Sequence, residues 1–429
     1  MRVQMAFGRT GLEIELPEGF RYRILEARSA APLPDPAEAL AKALESPTGA
    51  PPLLEVARGK RSAAISVCDI TRPAPNSFVL PAVLSRLGAA GIERDNITIL
   101  IATGLHRPAT ESEIREIVGP AIAAGYRVEN HFARDLSAHR YLGQTKSGTP
   151  VYIDERFVGA DLHLTLGLIE PHFMLGYSGG RKLVVPGLAA QETIKVLPSP
   201  RYMRDPRSGE GLMDGNPLHA ELVEIAGMAR HDFAVEVAIN RERQIAGIFA
   251  GNPLQAHRRG VEFVSRALLE EIEAPADAVI TSSAGYPLDL TFYQSIKGAS
   301  AARHVVRPGG RILLTAACEE GPGAPEFREM LKRYSSAEEY MEQTAEAPVT
   351  VDQWQLDKLA LVTRKAEVLF YVPGLPPDYH PTLWGRAFAS VAEGVAELTR
   401  GLKPGATIAV IPEGPYVLAK APEPEAVAA

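Results

Sequence analysis

Several short segments of this sequence carry groups that move protons or hold anions, and each begins where an apolar run stops. AAISV runs into Cys68-Asp69-Ile70-Thr71-Arg72-Pro73, NITILIA into Thr103-Gly104-Leu105-His106-Arg107-Pro108, and DLHLTLGLI into Glu170-Pro171-His172. The stretch PHFMLGYSGGRKLVVPG adds Gly179, Gly180, Arg181 and Lys182; DAVITSS leads through AGYPLD to Tyr293, Gln294 and Lys297. His106 and His172 supply imidazoles, the side chains that most readily give and take protons near neutral pH. Arg72, Lys182 and Lys297 are donors for a carboxylate or phosphate, and the glycine pair lets backbone N–H groups approach an anion closely. Two bases and an anion clamp suit work on both faces of one carbon. Each piece alone has a plainer explanation, such as a turn cap at Asp69, a structural histidine or a solvated charge. Their placement at the carboxyl ends of successive strands, where open α/β sheets bind ligands, favours a site.

The elements that must position these groups follow from hydrophobic patterning. Strands are expected at 63–67, 96–102, 161–169, 277–283, 311–317, 367–372 and 406–412, and helices at 37–44, 81–90, 111–118, 217–228, 253–272, 293–306, 324–334 and 382–399. Such alternation predicts an α/β fold with two domains whose parallel-rich sheets are covered by helices. GNPL occurs at 215 and at 251 and opens a helix both times, with Asn as cap and Pro in the first turn. A shift to Pro, Ala and acid at 273–277 places the domain boundary: residues 1–273 form an N-terminal α/β domain with Asp69 to Arg72, His106, His172 and Lys182, residues 274–415 a C-terminal α/β domain with Tyr293, Gln294 and Lys297, and 416–429 are expected as a disordered tail.

Composition narrows the class. The chain has 429 residues, 46% hydrophobic and 23% charged, with a formal charge of -7. That balance fits a water-soluble enzyme and argues against a nucleic-acid groove, which needs clustered cations. Cys68 and Cys318 are the only cysteines and show no metal-type spacing, and no apolar run is long enough to span a bilayer. The expected setting is cytoplasmic, with a small-molecule partner, no nucleic acid, no membrane and room for a homo-oligomer. H-x-x-x-H spacing, a P-loop and a G-x-G-x-x-G fingerprint are absent, which weakens a zinc hydrolase or a nicotinamide oxidoreductase.

DITRP, ATGLHRP, EPHFMLGYSGGRK with VVPG, SAGYPLD with FYQSIKG, and DQW at 352–354 resemble, in order, the motif set of the nickel-dependent lactate racemase family. The resemblance implies a racemase or epimerase of 2-hydroxy acids that uses a nickel pincer nucleotide, Ni(II)-pyridinium-3,5-bisthiocarboxylate mononucleotide, between two α/β domains. By the same resemblance Asp69, Ile70, Thr71 and Arg72 would hold the ribose and phosphate region, and Lys182 the thioamide arm. His106 and His172 would be the acid/base pair, and Tyr293, Gln294 and Lys297 would bind substrate, with Arg72 sharing its carboxylate. The implied mechanism moves the α-hydrogen as hydride, through a 2-keto acid, with one histidine serving each enantiomer.

One position departs from that pattern. A nickel-ligating histidine is expected after ETI, at position 198, where this chain has Pro198 in ETIKVLPSP. The nearest downstream candidate metal ligand is His219, in the first turn of an expected helix whose N-terminal field favours neutral imidazole. The missing ligand leaves an alternative open: a cofactor-free or metal-free homologue that binds hydroxy acids or nucleotides without catalysis. The substrate is not named by the sequence; Arg107, Arg181 and Tyr177 are candidates to read a second carboxylate or hydroxyls on an acid larger than lactate.

Overall fold

The computed structural model describes residues 1–422. The chain folds as two compact units: one is Ser29–Pro198 with Arg207–Ala267, the other Met1–Arg28, Ser199–Pro206 and the chain from Leu268 onward.

In the first unit a six-stranded sheet runs in the order Ile245–Gly251, Phe233–Ile239, Leu162–Leu168, Ala63–Cys68, Ile97–Ala102, Arg127–Asn130. All neighbours pair in parallel except Ile245–Gly251, which returns antiparallel on Phe233–Ile239. The strands Ala63–Cys68 and Leu162–Leu168 are buried at every position, as expected for central strands covered by helices on both faces. Chain order reverses between these two strands: from Ala63–Cys68 the next strand lies on one side, and Leu162–Leu168 lies on the other. Such a switch point leaves a crevice beyond the carboxyl ends, where open α/β sheets hold ligands. The helices Asn76–Ala89 and Glu111–Val118 pack their apolar residues against the sheet. Glu111–Val118 opens with a reciprocal capping box between Thr110 and Glu113, so Thr110→Ala is expected to lower the stability of this unit by about 1 kcal/mol in a denaturant titration.

The second unit also has a six-stranded sheet, ordered Arg386–Ala387, Ala366–Tyr371, Val306–Thr315, Ala276–Ser282, Thr407–Ile411, Arg21–Ile24, parallel throughout. Its helices include Phe292–Arg303, capped by the Thr291 side chain, and Gln353–Thr363.

All seven expected strands are present within a few residues. Four expectations need correction. The first 28 residues pack with the C-terminal unit, because Arg21–Ile24 pairs with Thr407–Ile411; a break at 273 alone misses that long-range pairing. The helix expected to 272 ends at Leu268, since Leu269–Glu271 becomes a strand against Leu418–Lys420. That pairing also orders the start of the expected tail, with Leu418, Ala419 and Ala421 buried; its remainder, 423–429, lies outside the described residues. The helix expected over 382–399 is confined to Val391–Thr399. Among the described residues no helix is long and apolar enough to cross a membrane.

Candidate active site

At the carboxyl end of Ala63–Cys68 the chain turns through Asp69, whose Oδ1 accepts from the Thr71 N–H at 3.2 Å and from the Thr71 hydroxyl at 2.6 Å. Its other oxygen, Oδ2, lies 2.7 Å from Nδ1 of His106, which stands beyond the end of the neighbouring strand Ile97–Ala102. Burial alone would raise the Asp69 carboxyl, but the hydrogen bonds from His106 and Thr71 outweigh it and hold the group below its usual value. The imidazole itself is open, its side chain 60% exposed against 9% for Asp69. A carboxylate accepts at Nδ1, so a neutral His106 keeps its proton there and presents Nε2 as a base.

The third loop, after Leu162–Leu168, forms a short hairpin in which His172 pairs with Gly176. Ser178 seats it on the strand end, its hydroxyl donating to Leu168 O at 2.6 Å and accepting from the Glu170 N–H at 3.0 Å. Nδ1 of His172 accepts from the backbone N–H groups of Met174 and Leu175, both at 3.3 Å. Backbone N–H groups only donate, so the neutral ring carries its proton on Nε2, the opposite tautomer to His106.

Between these loops Arg72 Nε meets Glu170 Oε1 at 3.2 Å. Lys182 follows in the 3-10 turn Gly180–Leu183, which is tied to the sheet by the Ser66 hydroxyl donating to Leu183 O at 2.8 Å. The same segment is tied to the His106 loop by Gly104 N–H donating to Gly187 O at 3.0 Å. Burial, with Arg72 and Arg181 nearby, lowers the Lys182 amine to about 8, against the opposing pull of Glu170. An amine so placed is partly neutral, hence nucleophilic, near physiological pH. Asp69, Thr71, Arg72, Glu170, Lys182 and His106 thus form one connected group over three adjacent strands, with His172 on the loop that Glu170 begins. Ile70 sits within this turn, half-buried against the sheet core.

His219 stands in the first turn of Pro217–Met228 and, like Lys182, feels Arg181. Its backbone N–H is capped by Asn216 at 3.0 Å, and its ring stacks on His257 with centroids 6.4 Å apart. Burial, and then Arg181, lowers it to about 4, so the ring is neutral, and its buried Nδ1 has no hydrogen-bond partner among the described residues. Pro198, with no donor atom to offer a metal, follows buried Leu197. Among the described residues no three His, Cys, Asp or Glu side chains converge as a metal site.

In the C-terminal unit Tyr293, Gln294 and Lys297 share one face of the first turns of Phe292–Arg303. Trp354 Nε1 donates to the Tyr293 hydroxyl at 3.1 Å, and the Gln355 amide donates to Tyr293 O at 2.7 Å. Gln294 Oε1 is buried and finds no hydrogen-bond partner among the described residues, a group held ready for a donor.

Arg107 pairs with Glu113 at 2.6 and 2.8 Å, and Tyr177 and Arg181 are both buried, so these three side chains are committed to the fold. Sequence reasoning gave no role to Glu170 or to Glu236; the signal for Glu236 was a single acid in the apolar strand FAVEVAI.

Comparison with known proteins adds a decisive observation. Residues 7–210 match the lactate racemase N-terminal domain and residues 272–419 the lactate racemase C-terminal domain. The chain belongs to the lactate racemase family. The lactate racemase of Thermoanaerobacterium thermosaccharolyticum is 30% identical over 97% of this chain and 99% of its own length. That of Lactiplantibacillus plantarum is 32% identical over 89% and 91%. The apoprotein structure of the Thermoanaerobacterium lactate racemase superposes with a TM-score of 0.85 at 29% identity, covering 98% of this chain and all of that one. A Thermotoga maritima protein, 16% identical with a TM-score of 0.59 over 86% of this chain and 96% of its own, shares the fold alone. Membership of this lactate racemase family makes the protein an isomerase.

Asp69→Asn is expected to lower turnover about ten-fold or more by releasing His106 from its tautomer, measured as the rate of isomer exchange. Because the folded Asp69 carboxyl is depressed, the stability it contributes is present above the ordinary carboxylate range and is lost as pH falls through its folded value. The Asn variant should therefore lose less stability on acidification than the wild type.

Proposed function

We propose that this protein interconverts the stereoisomers of a lactate-type 2-hydroxy acid, with a nickel pincer nucleotide as cofactor. What supports it most directly is the pairing of opposite imidazole tautomers, His106 held by Asp69 and His172 held by two backbone N–H groups, on neighbouring loops of a lactate racemase fold.

The residues present fit the organic part of the cofactor. The polar turn Asp69–Arg72 would hold ribose and phosphate, with Arg72 as the cation, and the partly neutral Lys182 amine would meet the thioamide arm. For the metal, Pro198 offers nothing, while the orphaned, neutral Nδ1 of His219 has the chemistry of a ligand. When bound, the cofactor supplies an acceptor that takes a hydride from the substrate carbon and gives it back.

The chain's own residues do the rest. Removing the α-hydrogen as a proton would leave a carbanion beside a carboxylate, far beyond the reach of an imidazole base. If that hydrogen leaves as hydride, a histidine has only to take the hydroxyl proton. For one enantiomer Nε2 of a neutral His106 takes it, while His172, which must enter as imidazolium, gives its Nε2 proton to the keto oxygen as hydride returns to the other face; the other enantiomer starts from the charged His106 and neutral His172 that this turnover leaves. Lys297, Gln294 and Tyr293 would hold the substrate, and Arg72 would share its carboxylate, keeping the planar 2-keto acid from escaping between the two transfers.

Pro198 favours a second reading, a homologue that binds hydroxy acids without turning them over. Chiral separation of a panel of 2-hydroxy acids, incubated with cofactor-loaded protein, decides. Exchange of at least one enantiomeric pair is expected; binding without exchange for every acid tested would overturn the proposal.

A further inference from the structure

Glu236 stands in the middle of Phe233–Ile239, next to Leu162–Leu168, and is wholly buried. Among the described residues neither of its carboxyl oxygens has a well-formed hydrogen bond; the nearest backbone donor it faces is the Gly180 N–H. A buried carboxyl so poorly satisfied is costly, which asks for a purpose. Its surroundings are built around it. A Cβ on Gly179 would stand 2.5 Å from Oε2, one on Gly180 would stand 3.0 Å from Oε1, and one on Gly167 would collide with the same carboxyl. The turn above it has φ of +86° at Gly179 and +46° at Gly180, a backbone that only glycine adopts without strain.

Arg181 completes the arrangement. Its guanidinium, 3% exposed, donates to the carbonyls of Leu175, Tyr177, Ser178 and Gly179 and lies 2.7 Å from Nε2 of His257. The acid that supports its charge is Glu236. Lys182, the next residue, faces Cys68, Arg72 and Glu170, and the Cys68 thiol feels both Glu236 and Lys182.

We propose that Glu236 is a positioning residue for Lys182: seated among three glycines, its carboxyl fixes the Gly179–Lys182 turn and, through Arg181, the field at the Lys182 amine. The functional meaning of this rests on the cofactor role proposed for Lys182; the geometry does not. Burial pushes the Glu236 carboxyl up to about 8, against Arg181 and the Gly180 N–H, and the Lys182 amine also lies at about 8. The two groups therefore titrate over one pH range, and Arg181 acts on both.

The test is the pH profile of Lys182 labelling by trinitrobenzenesulfonate, in the full chain purified without cofactor, read by peptide mass spectrometry against the exposed Lys403. In the wild type the profile should be broader than a one-proton curve, because Glu236 ionises as Lys182 does. Glu236→Gln and Glu236→Met, checked for folding by circular dichroism, should give a one-proton curve with a lower midpoint, and labelling near neutral pH should rise about three-fold. A loss of packing alone would change the melting temperature and leave the midpoint where it was. A wild-type profile that already follows a one-proton curve overturns the proposal, as do folded variants whose profiles superpose on the wild type. Labelling needs neither cofactor nor substrate, so a shifted profile in a protein that fails to racemise overturns the proposed function and leaves this inference standing.

Discussion

Replacing His106 with alanine is expected to lower isomer exchange by about 10²- to 10⁴-fold, the range over which a positioned acid/base group acts. The loss should fall on both directions of the reaction, because each direction uses this ring once, as base for one enantiomer and as acid for the other. Its side chain is 60% exposed, so little apolar contact disappears and the melting temperature should hardly move. What changes at the site is the partner of Asp69: without the imidazole, the hydrogen bond at Oδ2 is gone and only Thr71 continues to donate. Steady-state rates in both directions, with thermal melting as the control, check this. A variant that keeps more than about a tenth of the wild-type rate would remove His106 from the chemistry, since no general acid/base contribution is that small.

The largest effect on stability is expected from Arg181→Met. Methionine fills much the same space but leaves the carbonyls of Leu175, Tyr177, Ser178 and Gly179 without their shared donor, and it leaves Glu236 buried without a supporting cation. A buried acceptor left without its donor costs about 1–3 kcal/mol, and four carbonyls share this one guanidinium. Urea denaturation should therefore show a much lower midpoint for the unit that contains Phe233–Ile239. Activity of any folded remainder should fall as well, because the loop that Arg181 ties together carries His172 at one end and Lys182 at the other.

Much of this was legible in the sequence because the central strands are continuous apolar runs. Leu162–Leu168 and Ala63–Cys68 are buried on both faces, so they announce themselves without alternation, and the reactive segments directly follow them. The same logic failed at Phe233–Ile239, where Glu236 interrupts the apolar pattern, and at Arg127–Asn130, a polar edge strand. Gln353–Thr363 escaped notice because nearly all of its faces are buried, leaving no amphipathic stripe to read. Pairings between distant segments were out of reach in principle: nothing local in Arg21–Ile24 reveals Thr407–Ile411, and nothing in Leu269–Glu271 reveals Leu418–Lys420.

At the site, the sequence offered residue types and their order along the sheet edge, and the structure added partners. The tautomer of His106 depends on Asp69, and that of His172 on the hairpin Pro171–Tyr177; both are three-dimensional facts. Arg181 was open to a role in reading substrate, and its burial assigns it to the loop itself. Local sequence could not show this, because the carbonyls that enclose it converge only when Leu175–Lys182 folds back on the strand end.

The central claim, that two histidines handle only the hydroxyl proton while the α-hydrogen stays out of exchange with water, has a direct test. Lactate deuterated at its second carbon is racemised by the cofactor-loaded protein in ordinary water, and the deuterium content of the opposite enantiomer is read by mass spectrometry after chiral separation. Retention of deuterium in the product is expected from a transferred hydride. Its replacement by solvent hydrogen would mean that the α-hydrogen leaves as a proton, and would contradict the division of labour between His106 and His172.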